Sequence, residues 1–231
     1  MELSKRLTAV TALVGNCEKM ADVGTDHGYI PIHLLRSGIC EYAIAMDVNA
    51  GPLQRAKDHI ASYGLGNQIE TRLSDGVRAL HVGECETVVV AGMGGPLTIK
   101  ILEEGKKVFR ELKEFVLQPQ SEIEKVRRYL YENTYNIVEE DMVLEDGKFY
   151  PMMKVVHGDV EQYEEYEYIY GKKLLEKKHP VLRKFLLREQ YVQESIVEQL
   201  SKHIGSESAE QRTREILHER QYTMQALERF E

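Results

Sequence analysis

The 231-residue sequence predicts a doubly wound α/β domain followed by a helical tail. Up to about residue 157, short apolar runs alternate with helix-like segments, a pattern typical of βαβ units and a parallel sheet. The run Val88–Ala91 is apolar throughout, as expected of a strand covered on both faces. After Gly158, β-branched residues become scarce and Glu, Lys, Arg, Leu and Gln dominate. We therefore expect two parts, residues 1–158 and residues 159–231.

The elements of the first part follow in order. An amphipathic helix at residues 3–14 precedes the first strand, and helices follow the first, second, fourth and fifth strands. The predicted strands are KMADVG, YAIAMDV, IETRLSD, TVVVAGM and EFVLQPQ, and the predicted helices are YIPIHLLRSG, AGPLQRAKDHIASYG, PLTIKILEEGKKVFREL and SEIEKVRRYLYENT. Ser121 with Glu124 three residues later predicts a capping box at the start of the last of these helices.

Two further strands are predicted in YNIVEEDMVLEDGKFYPMMKVVHG, joined at Glu145-Asp146-Gly147 as a hairpin. Five parallel strands followed by an antiparallel pair are not the usual order for a dehydrogenase. They are the order of a Rossmann-like, seven-stranded, class I AdoMet-dependent methyltransferase domain.

The tail is predicted to form two antiparallel helices, a coiled-coil-like hairpin. The apolar positions are Leu182, Phe185, Leu186, Val192, Ile196, Leu200 and Ile204, then Leu217, Met224 and Leu227. Gly205-Ser206-Glu207-Ser208 interrupts this pattern and predicts the turn between the helices.

The composition argues against several classes of protein. The sequence has no apolar run of about 18 residues and no secretory signal in MELSKRLTAV. Three scattered cysteines and eight histidines show no metal-ligand spacing. We expect a soluble cytoplasmic monomer with no membrane or metal partner. The net charge of −8 disfavours a polyanionic partner unless the positive charges are clustered.

Five polar or glycine-containing stretches follow apolar strands, where ligands bind to open parallel sheets. They are Asp22–Gly28, Asp47–Asn49, Ser74–Gly76, Ala91–Gly95 and Gln118–Gln120. A carboxylate at Asp47 suits the two hydroxyls of a ribose, which NAD and AdoMet share. A helix cap is the alternative role for Asp47, and Asp75 is equally typical of a helix cap.

Two of these stretches suggest a place for a substrate. The three glycines of AGMGG predict an exposed ledge without side chains on which a flat substrate can lie, and a tight turn is the alternative. Gln118 and Gln120 flank Pro119, and their amides can read base edges. Simple termination of the strand is the alternative there.

The strings DVGTDHG-YIP, AMDVN, SDG, VVAGMGG and LQPQ, followed by a helical tail, resemble the bacterial tRNA (adenine-22-N1)-methyltransferase family over essentially the whole chain. The resemblance implies methyl transfer from S-adenosyl-L-methionine to N1 of adenine 22 in the D-arm region of tRNA. LQPQ departs from a QPN-like ending, which leaves the role of Gln120 open.

On this resemblance, the candidate site residues fall into three groups. The catalytic candidates are Asp26 and His27. The cofactor-binding candidates are Asp22, Gly24, Thr25, Gly28, Asp47, Val48, Asn49, Ser74, Asp75, Gly76, Ala91, Gly92 and Met93. The substrate-binding candidates are Gly94, Gly95, Gln118, Pro119, Gln120, Lys172, Lys173, Lys177, Arg183 and Lys184, the last five on a basic face of the tail that would grip tRNA.

Adenine N1 already carries a lone pair, and its methylation produces a cation. A fixed carboxylate at Asp26 would stabilise that developing charge, with His27 in support. Alternatively, Asp26 caps the helix that starts near Tyr29. The basic face of the tail is equally typical of a solvated helix surface.

Three other functions remain open from the sequence. An NAD-dependent oxidoreductase would share the glycine loop and Asp47, but the terminal strand pair and AGMGG argue against it. A methyltransferase that acts on another RNA, a protein or a small molecule in place of tRNA is the second. A non-enzymatic protein that only binds a partner through its tail is the third.

Overall fold

The computed structural model describes residues 2–202 and 207–231. The chain forms two compact units, the first ending at Glu161 and the second beginning at Gln162. None of the helices in the described ranges is long and apolar enough to cross a lipid bilayer.

The first unit is built on one seven-stranded sheet, as the sequence predicted. Its strands are β1 Cys17–Val23, β2 Cys40–Asp47, β3 Ile69–Leu73, β4 Thr87–Met93, β5 Glu114–Pro119, β6 Tyr135–Glu145 and β7 Lys148–His157. They lie in the order β3-β2-β1-β4-β5-β7-β6. The first five are parallel, and β7 pairs antiparallel with both β5 and β6.

The predicted hairpin between the last two strands is confirmed. Asp146 and Gly147 form its two-residue turn with φ angles of 49° and 75°. Positive φ at both positions is typical of a type I′ turn, whose twist matches that of the flanking strands.

Helices cover both faces of the sheet and create two apolar cores. The helices are α1 Lys5–Ala12, α2 Tyr29–Arg36, α3 Ala50–Ser62, α4 Gly95–Glu104, α5 Lys106–Phe109 and α6 Ile123–Glu132. One core contains Val10, Ile32 and Ile60 from α1, α2 and α3. The other contains Leu102, Phe109 and Leu130 from α4, α5 and α6.

The helix predicted from Pro96 to Leu112 is wrong as a single element, because the chain breaks at Gly105 between α4 and α5. A Cβ atom at Gly105 would collide with Cγ2 of Val77 and lie 2.9 Å from the ring of Phe109. Gly105 is therefore closely packed against its neighbours, which a helical pattern does not reveal.

The predicted capping box at Ser121 and Glu124 is also wrong. The N-cap of α6 is Glu122, at a φ of 49°, and it makes no side-chain capping bond. The Ser121 hydroxyl instead accepts a 3.3 Å hydrogen bond from the Gly95 N–H. Glu124 pairs with Arg128 one turn later on α6, at 3.0 Å.

The described residues of the second unit form helices joined by short turns and include no strand. Its helices are α7 Glu165–Tyr170, α8 Lys172–Glu176, α9 Pro180–Leu200 and α10 Glu207–Glu228. Helices α9 and α10 pack together, and Arg220 of α10 approaches Glu194 of α9 to 2.8 Å. Glu207 and Ser208 belong to α10 and not to the predicted turn. Ile204, Gly205 and Ser206 of that prediction lie outside the described residues.

The apolar positions predicted for the tail are partly wrong, by one residue in several places. Leu182 and Leu186 are fully buried, as predicted. The residues Gln193, Ile216 and Thr223 are buried, whereas their neighbours Val192, Leu217 and Met224 are exposed. The Thr223 hydroxyl lies 2.8 Å from Tyr170 Oη and 3.0 Å from Gln193 Nε2. This buried polar network replaces apolar contacts, so hydrophobicity alone misplaced the helix face.

Candidate active site

The carboxyl ends of β1, β4 and β5, with helices α1 and α2, enclose a cavity of about 310 Å³. Ligands bind at this edge in open α/β sheets. The cavity is lined by Arg6, Leu7, Asp22, Gly24, Asp26, Tyr29, Ile30, Ala91, Gly92 and Gln120. Three of the five predicted stretches, those after the first, fourth and fifth strands, therefore contribute to one cavity.

The loop between β1 and α2 is held tightly against the neighbouring strands. The N–H groups of Gly24 and Thr25 both donate to the Met46 carbonyl at 2.8 Å. Gly24 has a φ of 78°, and a Cβ atom there would collide with the methyl group of Met93. The positive φ favours glycine at this position, as the glycine-loop interpretation required. Met93 thus packs beneath the loop.

Asp22 and Thr25 are buried polar groups beside the cavity. Asp22 is 3% exposed, and burial, with a smaller contribution from Asp47, raises the pKa of Asp22 to about 7. Thr25 is 1% exposed, and its hydroxyl makes no hydrogen bond of good geometry within the described part of the chain. It lies close enough to Asp22 to favour the ionised carboxylate, which lowers the pKa of Asp22 and partly offsets the effect of burial.

Asp47 ends β2 and is 9% exposed. One of its carboxylate oxygens accepts a 2.7 Å hydrogen bond from the Asn49 N–H. The N-cap of α3 is Asn49, without a side-chain capping bond, so Asp47 does not cap this helix. The Ser74 N–H donates to the Asp47 carbonyl at 2.9 Å and brings the third loop alongside the second. Val48, which lies between Asp47 and Asn49 in the chain, is exposed.

The third loop satisfies its own polar groups. The Ser74 hydroxyl donates to the Gly76 carbonyl at 2.9 Å. Asp75 lies 3.0 Å from Arg78 and 4.0 Å from Lys100. Asp75 is therefore engaged in surface ion pairs, and neither its loop nor the Asp47 loop lines the cavity itself.

Asp26 lines the cavity, with 64% of its side chain exposed. Arg55 of α3 approaches its carboxylate to 3.2 Å, and His27 Nε2 lies 3.5 Å from the same oxygen. Helix α2 is capped by Gly28 in the left-handed conformation, with no side-chain capping bond. Asp26 is therefore not a helix cap. The His27 ring stacks on Tyr29, with 5.4 Å between ring centroids.

Of the three glycines expected to form an exposed ledge for the substrate, one lines the cavity. Gly92 is exposed and lines the cavity, whereas Gly94 is the N-cap of α4. A Cβ atom at Gly95 would lie 2.5 Å from the Ser121 carbonyl oxygen and 3.0 Å from that of Glu122. Gly95 is thus buried beneath this loop and not presented to a substrate, because packing requires the missing side chain.

The expectation that Gln118 reads a base edge is also corrected. Gln118 is fully buried, accepts a 2.9 Å hydrogen bond from Arg6 Nη1 and donates to the Pro119 carbonyl at 3.1 Å. Both ends of its amide are engaged within the protein. Pro119 is buried as well, so Gln120 is the member of this stretch that lines the cavity.

Several residues of the site were missed by the sequence analysis. Tyr29 and Ile30 line the cavity, and an aromatic residue directly after Gly28 was a usable signal. Arg6 and Leu7 also line the cavity. They come from α1, which precedes the first strand and belongs to none of the five predicted stretches. No local pattern predicts their contribution, because it depends on where α1 docks.

The basic residues predicted for the tail divide into two sets. Lys177, Arg183 and Lys184 are exposed. Lys172 and Lys173 are each only 16% exposed in their side chains. Lys172 donates to the Gln162 carbonyl at 2.6 Å, and Lys173 lies 3.1 Å from Glu176. These two lysines therefore make local contacts within the helical unit.

Within residues 2–202 and 207–231, no group of three His, Cys, Asp or Glu side chains is arranged to hold a metal ion. The three cysteines are free and buried, as small hydrophobic residues would be. Cys17 and Cys40 are partners at the start of the paired strands β1 and β2, with their sulfur atoms 2.7 Å apart.

Comparison with known proteins places this geometry in a family. Residues 3–153 match the family model described as a methyltransferase domain. A Bacillus subtilis (strain 168) tRNA (adenine(22)-N(1))-methyltransferase is 32% identical over 223 residues, covering 94% of this chain and 93% of the relative.

Solved structures agree over nearly the full length. A putative tRNA (m1A22) methyltransferase of Streptococcus pneumoniae is 30% identical, with a TM-score of 0.90 over 98% of this chain and 100% of that chain. The same enzyme in complex with S-adenosyl-L-methionine has a TM-score of 0.85 at 29% identity, with the same coverage. Because both the sequence match and the structural match extend through the helical tail, the chain belongs to the tRNA (adenine(22)-N1)-methyltransferase family.

Proposed function

We propose that the protein is an S-adenosyl-L-methionine-dependent methyltransferase that methylates N1 of adenine 22 in the D-arm region of tRNA. The observation that carries this proposal is the single cavity shared by Asp22, Gly24 and Asp26, built from the loop that characterises the resemblance to the family. The relatives described above support the reaction and its substrate.

The residues around the cavity fit the cofactor. Asp22 lines the cavity as a buried carboxylate, with the Thr25 hydroxyl beside it. Asp47, at the next strand end, is suited to hold the two ribose hydroxyls. Gly24 lines the cavity without a side chain, so a ligand can approach the backbone there. When bound, the cofactor supplies an electrophilic methyl group on a sulfonium.

On the substrate side, adenine N1 is itself the nucleophile, so the site needs no base to generate one. What the protein must supply is orientation of the base and stabilisation of the positive charge that develops on it. Asp26 supplies a carboxylate at the cavity, and Tyr29 supplies an aromatic surface beside it. N1 is engaged in a base pair when adenine is stacked in a helix, so the base must be exposed before it enters.

Arg55 and His27 modify the role proposed for Asp26. Both lie near the same carboxylate oxygen, at 3.2 Å and 3.5 Å. They hold the carboxylate in place, and the charge of Arg55 reduces the negative potential available to the base. We therefore assign Asp26 to stabilisation of charge and His27 to support of its position.

In the tail, we assign tRNA binding to the exposed Arg183 and Lys184 of α9. No carboxylate lies within 4.0 Å of the Arg183 or Lys184 side chains in the described part of the chain. Arg212 of α10, by contrast, lies 2.8 Å from Glu215. Uncompensated positive charge on a helix attracts phosphate, whereas charge already paired with carboxylates does so weakly.

The proposed function is tested by methyl transfer from labelled AdoMet to unmodified tRNA, with the product nucleosides identified by mass spectrometry. We expect N1-methyladenosine, and we expect the signal to disappear when adenine 22 of the tRNA is replaced by guanine. Binding of AdoMet without transfer to any tRNA would refute the proposed substrate while leaving the cofactor in place.

For Asp26, we expect Asp26→Asn to lower kcat about 10- to 100-fold, because the side chain is partly exposed and contributes less than a buried charge. The KM for AdoMet should change little. Asp58→Asn is the matched control, because Asp58 is an exposed aspartate of α3 that bonds only Gln54 in the described contacts. Equal kcat values for Asp26→Asn and wild type would eliminate the electrostatic role.

For the tail, Arg183→Glu is compared with Arg212→Glu. We expect Arg183→Glu to weaken tRNA binding and to reduce the slope of log K against log salt by about 1, as for one lost phosphate contact. Arg212→Glu should leave both unchanged. Identical behaviour of the two variants would contradict the assignment of this face to tRNA.

A further inference from the structure

One face of helix α3 contacts the loop that carries Asp26. Arg55 and His59 stand four residues apart on α3, so both project from the same side of the helix. Arg55 approaches the Asp26 carboxylate to 3.2 Å. His59 Nδ1 lies 2.7 Å from the His27 carbonyl oxygen. Helix α3 therefore contacts two consecutive residues of the loop.

The contact between His59 and His27 is a hydrogen bond with a defined direction. A carbonyl oxygen can only accept, so Nδ1 of His59 carries the hydrogen and donates it. The half-buried imidazole also makes edge-to-face contacts with Tyr29 and Tyr63, at centroid distances of 5.1 Å and 5.0 Å. These two aromatic neighbours fix the orientation of the ring and keep its N–H aimed at the carbonyl oxygen.

The backbone that receives this hydrogen bond has an unusual conformation. His27 has a φ of 62° and Gly28 has a φ of 67°. Glycine adopts positive φ readily, whereas a residue with a side chain does so rarely and needs support from its surroundings. A Cβ atom at Gly28 would lie 3.3 Å from Cγ1 of Ile60, the residue after His59, so the loop packs directly on α3. The His59 hydrogen bond is part of the support that His27 needs.

The conformation of His27 determines where Asp26 stands. Asp26 immediately precedes His27 and lines the cavity with a mostly exposed side chain. Its carboxylate contacts the side chains of Arg55 and His27, which are 52% and 38% exposed. Exposed ion pairs hold a side chain only weakly. The part-buried hydrogen bond to the next residue's backbone is therefore the firmer constraint on the position of Asp26.

The preceding residues of the loop are anchored elsewhere. The N–H groups of Gly24 and Thr25 donate to the Met46 carbonyl of β2 and not to α3. Loss of the His59 bond should therefore displace Asp26 and leave the start of the loop in place. Binding of AdoMet reports on the start of the loop, and the rate of methyl transfer reports on Asp26.

We infer that His59 is a positioning residue for methyl transfer, which holds the Asp26 carboxylate at the reacting base through its hydrogen bond to the His27 carbonyl. This inference rests on the charge-stabilising role of Asp26 in the proposed function and deepens it. In the described part of the chain, His59 is not among the residues that line the cavity. It acts through the backbone of the loop.

The test compares His59→Phe with His59→Asn. Phenylalanine keeps a ring between Tyr29 and Tyr63 but cannot donate a hydrogen bond, whereas the asparagine amide can donate from close to the position of Nδ1. We expect His59→Phe to lower kcat for tRNA methylation about 10-fold while the Kd for AdoMet, measured by calorimetry, stays unchanged. His59→Asn should recover most of kcat although it lacks the ring.

Two further measurements show whether His59 acts through Asp26. The double variant that combines Asp26→Asn with His59→Phe should be no slower than Asp26→Asn alone, because the carboxylate that His59 positions is already absent. Amide hydrogen exchange of residues 26–28, followed by mass spectrometry without tRNA, should be faster in His59→Phe than in wild type and restored in His59→Asn.

The control is His33→Phe on α2. His33 is half-buried like His59 and does not line the cavity, so this variant should match wild type in kcat and in loop exchange. Thermal unfolding establishes that each variant is folded. If His59→Phe does not fold, the same comparison is made between His59→Asn and His59→Leu, which have similar shapes and differ in the ability to donate.

Each outcome decides the inference. Multiplicative losses of kcat in the double variant would mean that His59 acts independently of Asp26 and would overturn it. Unchanged kcat in the variant that cannot donate would do the same, and so would a parallel fall of kcat and AdoMet affinity that His59→Asn does not reverse, because that pattern indicates a purely structural role. Wild type that methylates no tRNA would refute the proposed function, while the exchange rates would still decide whether His59 holds the loop.

Discussion

Replacement of Asp22 by asparagine should change how the stability of the ligand-free protein depends on pH. Burial raises the pKa of Asp22 from 3.8 to about 7 in the folded state. Between these two values the folded protein binds more protons than the unfolded chain, so its stability falls as pH rises. A shift of one pKa unit corresponds to 1.36 kcal/mol, so the total loss of unfolding free energy is about 4 kcal/mol. About 2–3 kcal/mol of this loss occurs between pH 5 and pH 8.

An asparagine side chain is uncharged at every pH, so the Asp22→Asn variant avoids this loss. Urea unfolding of wild type and Asp22→Asn without cofactor at pH 5, 6, 7 and 8 gives the difference in unfolding free energy at each pH. We expect the variant to gain about 2–3 kcal/mol relative to wild type from pH 5 to pH 8 while binding AdoMet more weakly. Asp58→Asn, at an exposed site, is the control for the substitution itself. A difference between Asp22→Asn and wild type that does not vary with pH would refute the reasoning.

Two predictions concern stability. Arg127→Ala should lower the unfolding free energy by about 3–5 kcal/mol in chemical denaturation, because Arg127 and Glu140 form a buried ion pair at 2.8 Å and the carboxylate would lose its partner. Arg128→Ala on the same helix removes a partly exposed pair and should cost about 0.5 kcal/mol; similar losses for both would contradict this account. Gly95→Ala should lower stability by about 1–3 kcal/mol and lower the melting temperature, because its methyl group meets the Ser121 carbonyl, and an unchanged melting temperature would show that the loop yields freely.

The fold could be predicted from the sequence because its signals are local. The run of Val88–Ala91 marks a strand covered on both faces, and Asp146-Gly147 supplies the positive φ angles that a tight hairpin requires. The glycine loop was recognisable for the same reason, since Gly24 occupies a conformation that other residues rarely adopt. These features depend on backbone sterics and hydrophobic periodicity, which short stretches of sequence carry.

The candidate site was predicted less completely. The loop residues Asp22, Gly24, Asp26 and Gly92 were placed at one cavity because the carboxyl ends of parallel strands meet at one edge of the sheet. Gln118 was predicted to read a base edge. In the structure its amide oxygen accepts a hydrogen bond from Arg6, and its amide nitrogen donates to the Pro119 carbonyl. Which polar side chains face a ligand and which face each other depends on contacts that no spacing encodes.

By itself, the sequence determined the order of strands and helices, the glycine loop, the family and the identity of the carboxylates near the site. Only the tertiary structure decided that α1 brings Arg6 into the cavity, that Gly95 serves packing, and that Gln193 and not Val192 faces the interior of the tail. The physical reason is the range of the interactions. Strand, turn and loop preferences act between neighbours in the chain, whereas the Arg6–Gln118 bond and the Gln193–Thr223 bond join residues far apart in sequence that meet only after the elements have packed.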